Sequence, residues 1–126
     1  MPSNKVIFIA FAIEDEAQRN LLKGQSLNTK SPFEYVDMSV KEPYDSNWKE
    51  RVRTRIRRSD GVIALVSRNT LNSSGEKWEI AAAKEEGVPL IGLWVYTNDR
   101  TSPSALNGTP IIEWTWQGIA NFIDSL

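Results

Sequence analysis

The 126-residue chain has no cysteine and no histidine. Without histidine there is no Ser-His-Asp or Cys-His nucleophile pair and no imidazole to hold a metal. Without cysteine there is no disulfide framework, no thiolate nucleophile and no cysteine-built zinc site. Excess charge is missing too. Fifteen Lys and Arg stand against 16 Asp and Glu, for a formal charge of −1, so no overall field draws the chain to nucleic acid or acidic lipid. No apolar run approaches the roughly 20 residues that span a bilayer. Glu14-Asp15-Glu16 follow the apolar stretch Val6–Ala12, where a signal peptide would need a small-residue cleavage site. The expectation is a cytoplasmic protein with no membrane and no nucleic-acid partner. Its chemistry has to come from carboxylates, hydroxyls, amides, Lys, Arg, aromatic faces and backbone groups.

What is present is ordinary for a globular domain, with 40% hydrophobic and 25% charged residues, and the length suits one domain over residues 1–126. Val6–Ala12, Gly61–Val66 and Pro89–Val95 are apolar runs rich in β-branched residues and too short for typical helices, so they read as strands buried on both faces. Phe33–Asp37 alternates like an edge strand, and Pro110–Glu113 is a short one. Between them lie helical patterns. Glu14, Asp15 and Glu16 open one as first-turn carboxylates, and Gly24 reads as its C-cap. Trp48, Val52 and Ile56 form the stripe of a second, with N-cap candidates at Asp45, Ser46 and Asn47. Ser73-Ser74 cap a third, which stops at Gly87, and Trp116, Ile119, Ala120 and Ile123 mark a closing helix. Strands alternating with helices predict a doubly wound parallel sheet. Right-handed crossovers favour the flavodoxin-like five-stranded order 2-1-3-4-5.

In such sheets ligands bind beyond the carboxyl ends of the strands where the order reverses, here between the first and third strands. The site is therefore expected around Phe11–Asp15, Asp37–Asp45 and Ser67–Glu79. No glycine-rich phosphate loop follows the first strand, which argues against dinucleotide and P-loop folds. Ser67 and Glu113 stand where a receiver domain would carry its Asp and Lys.

The segment Ser67-Arg-Asn-Thr-Leu-Asn-Ser-Ser-Gly-Glu-Lys-Trp-Glu-Ile80 carries most information: a hydroxyl-rich loop leaves a buried strand and enters a helix with Glu76, Trp78 and Glu79 near its start. Taken with Phe11-x-x-Glu-Asp15 after the first strand, this pattern resembles a TIR-like domain, nearest to the small prokaryotic TIR-like proteins that include the TIR component of Thoeris antiphage systems. The resemblance implies that Glu79, with Ile80 as its apolar follower, is the glutamate that cleaves NAD+. NAD+ is then a substrate and no cofactor is needed. It also implies self-association through TIR-type contacts, a nucleotide-sensing effector as partner, and a product that is ADP-ribose or a cyclic form of it. Substrate contacts are expected from Phe11, Ala12, Asp37, Ser39, Asp45, Trp48, Ser67 and Asn69, with Phe11 and Trp48 offering rings to stack a base.

Each of these has a plainer reading. A glutamate in the first turns of a helix is commonly a dipole partner on a solvated surface. Phe11, Trp48 and Trp78 suit core packing. Ser67 and Asn69 suit turn capping, and Asp15 suits helix opening. Asp37, Ser39 and Asp45 suit turns or caps. The second helix crowds Lys49, Arg51, Arg53, Arg55, Arg57 and Arg58 around its circumference rather than along one stripe. It reads as a solvated helix balancing the acidic third helix (Glu76, Glu79, Glu85, Glu86), or as one side of a head-to-tail contact. A non-catalytic TIR-type scaffolding module is the alternative function.

Overall fold

The computed structural model describes residues 5–28, 35–37 and 47–126. The strands are β1 (Lys5–Ala10), β2 (Tyr35–Asp37), β3 (Gly61–Val66), β4 (Leu90–Trp94) and β5 (Ile111–Glu113). The helices are α1 (Glu16–Ser26), α2 (Trp48–Arg57), α3 (Ser74–Glu85) and α4 (Trp116–Asp124). Short 3-10 turns cover Ile13–Asp15, Arg68–Asn72 and Ser104–Leu106. The strands form one parallel sheet in the order β2-β1-β3-β4-β5. Ile7 sits opposite Gly61, and Val62 opposite Leu90.

Why β3, and β1 after Lys5, are apolar follows from what covers them. Side chains on a strand alternate between faces. Ile7, Ile9, Phe11, Ile63, Leu65 and Leu93 pack with Leu22 of α1 and Ile119, Ala120 and Ile123 of α4. Phe8, Ala10, Val62, Ala64 and Val66 pack on the opposite face with Val52 and Ile56 of α2 and Ile80, Ala82 and Ala83 of α3. Two cores, one on each face, leave no position from Ile7 to Ala10 of β1 or within β3 for a polar side chain. Each fully buried Ile, Leu or Phe contributes about 1.5–3 kcal/mol relative to exposure.

The helix ends show which local signals prevail. Thr115 caps α4, its Oγ1 accepting the Gly118 N–H at 3.0 Å. Ser73 caps α3 in the same way, accepting the Glu76 N–H at 3.1 Å. Gly87, at φ +68°, supplies the left-handed residue that ends α3 before Pro89. Gly24 does not cap α1. The helix continues through it to Ser26, whose Oγ donates to the Lys23 carbonyl at 2.7 Å. Side chain and backbone there agree on one more turn, so the glycine's freedom goes unused.

Candidate functional site

Among the described residues, six of the eight buried polar ones — Asp15, Ser67, Thr70, Glu76, Glu79 and Asp99 — lie in segments at or beyond the carboxyl ends of β1, β3 and β4. The other two, Ser26 and Ser59, donate to carbonyls in the last turns of α1 and α2. Chemistry is thus gathered at the edge where the strand order reverses.

At its centre is Asp15, with no exposed surface. Sequence placed it in the first turn of α1 as a dipole partner; instead its side chain turns inward. Ser67 Oγ–H donates to Oδ2 at 2.6 Å. Asn69 Nδ2–H donates to Oδ1 at 2.9 Å, and the Tyr96 hydroxyl donates to the same oxygen at 3.0 Å. A buried carboxylate is costly unless its lone pairs are occupied, and here three donors occupy them. Burial, and after it the hydrogen bond to the Asp15 carboxylate, pushes the Tyr96 phenol above its ordinary range, so it remains a donor at neutral pH.

Beyond β3 the chain is locked locally. Ser67 Oγ accepts the Asn69 N–H at 3.0 Å, and the Ser67 N–H donates to Thr70 Oγ1 at 3.1 Å, a reciprocal capping box. Asp99, after β4, accepts the Arg68 N–H at 2.9 Å and the Thr101 N–H at 3.1 Å. The Thr101 hydroxyl donates to it at 2.5 Å. That hydroxyl foremost, then the two backbone donors, holds the Asp99 carboxyl below its usual range against the upward pull of burial.

Glu79 stands in the second turn of α3 and is 6% exposed. It is not turned out to bulk solvent. Glu76, one turn earlier, is fully buried, so it is not available to balance the basic second helix with Glu85 and Glu86. The N-terminal end of α3 explains why carboxylates are accommodated there: the helix dipole and the first-turn N–H groups favour negative charge. The remaining acids of α3 do behave as expected. Arg53 donates to Glu86 at 3.0 Å and Glu85 at 3.1 Å, and Arg57 to Glu86 at 3.0 Å. These pairs hold the Glu86 carboxyl at about 2, Arg57 having the larger effect.

Of the other expected contact residues, Ser67 and Asn69 converge on Asp15. Phe11 is 2% exposed within the core, with the Arg19 guanidinium 5.8 Å from its ring centroid. Its ring offers no open face to a base, the cost of being at the end of a strand covered on both sides. Ala12 is fully buried, and its carbonyl accepts the Asp15 N–H at 2.8 Å. Trp48 is half-buried at the start of α2 and meets Trp78 of α3 edge-on, ring centroids 5.2 Å apart at 64°. Lys49 lies 5.8 Å and 5.9 Å from those two rings. Ser39 and Asp45 lie outside the described residues, and Asp37 is described only as the last residue of β2. Tyr96 and Asp99 were missed. The carboxyl-end rule applied to the fourth strand as well as to the first and third would have found them.

Among the described residues no group of three or more Asp, Glu, His or Cys is placed to hold a metal ion, and no helix is long and apolar enough to cross a membrane. The family model described as the TIR-like domain of the Thoeris protein ThsB matches residues 8–100. Among solved structures, the chain is similar to the TIR domain of the Toll-related receptor TRR-2 from Hydra magnipapillata. That similarity has TM-score 0.64 at 13% identity, covering 97% of this chain and 94% of that one. It is also similar to the CMP N-glycosidase BcmB from Clostridium botulinum, with TM-score 0.61 at 18% identity, covering 97% of this chain and 100% of that one. No curated protein matches. At such identities the likeness is one of fold. The matched range holds every residue of the carboxyl-edge cluster and leaves β5 and α4 outside it.

Proposed function

The chain belongs to the family of the Thoeris ThsB TIR-like domain, and from that premise we propose that it cleaves the bond between nicotinamide and ribose in NAD+, with Glu79 as the catalytic carboxylate. One observation carries the reading: Glu79 is 6% exposed, near the N-terminal end of α3 and beyond the carboxyl end of β3. A carboxylate drawn out of water acts more strongly on a nearby developing charge than one in bulk solvent.

The chemistry needs little else. Nicotinamide is cationic in NAD+ and leaves neutral, taking the electron pair of the broken bond, so no general acid serves the leaving group. The ribose left behind has oxocarbenium character, which an anion steadies and orients through the ribose hydroxyls. Water then captures the sugar and releases a proton, giving ADP-ribose; capture by a nucleophile of the adenosine part gives a cyclic product. A chain without histidine or cysteine is equipped for both. The fold is also one on which an N-glycosidase, the CMP N-glycosidase named above, is built.

In this reading residues 1–126 act as one cytoplasmic TIR-like domain. NAD+ is its substrate, no cofactor takes part, and the product is a signal for a nucleotide-sensing effector in antiphage defence. Substrate contacts are assigned to Asn69 and Trp48 and, from the sequence alone, to Asp37, Ser39 and Asp45, with the buried Ser67 acting through Asp15, while copies of the chain associate through TIR-type contacts. The test is incubation of assembled protein with NAD+ and chromatography of the products. Nicotinamide release should fall about 10²–10³-fold in Glu79→Gln. Equal release from the variant and the wild type would remove Glu79 as the catalytic carboxylate, and NAD+ left intact by both would end the enzymatic reading. A scaffolding module would instead lose self-association on charge reversal of Arg51 or Arg55, with Glu79→Gln silent. The internal pairing of Arg53 and Arg57 with Glu85 and Glu86 leaves a head-to-tail version of that contact less charge to use.

A further inference from the structure

Asp15 joins three separate loops. Its partners Ser67, Asn69 and Tyr96 are 52, 54 and 81 residues away in sequence and come from the segments that follow β3 and β4. We propose that Asp15 is a positioning residue: it ties the 67–73 segment to the end of β1 and to the loop after β4, and through the cap of α3 it fixes where Glu79 stands. The proposal rests on the reading of Glu79 given above.

The path from one carboxylate to the other is a continuous set of bonds. Asp15 takes the Ser67 hydroxyl hydrogen, which directs the Ser67 lone pairs to the Asn69 N–H. The capping box then sets Thr70, whose carbonyl accepts the Ser73 N–H at 3.2 Å. Ser73 in turn caps α3 through the Glu76 N–H, one turn before Glu79. Asp99 holds the same segment from the other side through the Arg68 N–H.

Stability alone is a weak reason for such a group, because apolar packing of similar volume commonly stabilises as well as a buried charge does. Three donors on two oxygens provide direction, since each hydrogen has one place to point. Apolar packing holds a loop without aiming it.

Asp15→Asn is the informative change, because it keeps the shape and halves the acceptor set. Its single oxygen serves best on the side shared by Asn69 and Tyr96. Its amide hydrogens then face Ser67, whose hydroxyl must turn its hydrogen elsewhere. The link to the 67–73 segment is the part that fails. The control is Asp60→Asn: Asp60 Oδ2 accepts the Val6 N–H at 2.8 Å at the opposite edge of the sheet, a tie of similar geometry far from the cluster.

The experiment measures NAD+ cleavage kinetics and amide hydrogen exchange for the wild type, Asp15→Asn, Ser67→Ala, the double variant, Asp60→Asn and Glu79→Gln. In Asp15→Asn, kcat should fall about 10²-fold with KM little changed, the penalty of a misplaced reacting group. Exchange over residues 69–79 should quicken. Ser67→Ala should lose less, and adding it to Asp15→Asn should cost nothing further. Asp60→Asn should change neither kcat nor that exchange. Wild-type kcat in Asp15→Asn beside an inactive Glu79→Gln overturns the proposal and leaves the reading of Glu79 intact, as does a loss no larger than the fraction unfolded. If Glu79→Gln cleaves as fast as the wild type, or neither turns over, the reading of Glu79 has failed and exchange alone decides. Quickened exchange in Asp15→Asn but not Asp60→Asn upholds the tie; unchanged exchange removes it.

Discussion

The two edges of the sheet solve the same problem differently. At the amino edge, Asp60 meets the backbone of β1 while exposed to water: its Oδ2 accepts the Val6 N–H and its own N–H donates to the Val6 carbonyl at 2.7 Å. At the carboxyl edge, Asp15 performs a comparable tie with no solvent contact and three side-chain donors. A solvated carboxylate is cheap to place and cheap to lose. A buried one is stable only while every partner is in position, so it makes the geometry around it nearly all-or-none. The edge that carries the proposed chemistry is the one built with the stricter rule.

That contrast can be broken by experiment. Asp15→Ala strands three donors around a dry site and should destabilise the fold by about 3 kcal/mol, read by urea denaturation. Asp60→Ala should cost about 1 kcal/mol or less, since water takes over. Equal costs would erase the distinction between the edges. Asp99→Asn should be intermediate, about 1–2 kcal/mol at pH 7. Because folding holds the Asp99 carboxyl below its unfolded value, its contribution is full above that value and is lost as pH falls through the folded one. The gap between wild type and Asp99→Asn should therefore close on acidification below about pH 4. The smallest effect belongs to the α2–α3 surface. Glu86→Gln should shift the thermal midpoint slightly, with the shift fading in salt. It should also disappear as pH falls from the ordinary glutamate range through about 2.

Much of this architecture was legible in the chain. β1, β3 and β4 announce themselves because a strand covered on both faces has no polar position. The stripe Trp48, Val52, Ile56 located the inner face of α2 for a related reason. Glu79, singled out by its motif, is buried. Glu76 was grouped with Glu85 and Glu86, because a carboxylate in a first helical turn looks the same in sequence whether it faces water or is buried. The burial of α3 runs through Gly75, Glu76, Glu79 and Ile80, mixing charge with apolar residues. Asp15 was placed correctly but given the wrong task. Its partners are so distant in sequence that no local pattern connects them, and only the fold brings them together.

The edge-on indoles of Trp48 and Trp78 have a use of their own. Two indole rings with centroids 5.2 Å apart and planes at 64° couple in the excited state and give a paired circular-dichroism band that an isolated tryptophan lacks. Because one ring rides on α2 and the other on α3, the band's amplitude records the relative orientation of those helices. The Arg53 guanidinium, 5.2 Å from the Trp78 centroid, adds an emission sensitive to its displacement. Unlabelled protein thus carries an optical gauge beside the start of the helix that bears Glu79, readable while ligand is titrated or copies assemble.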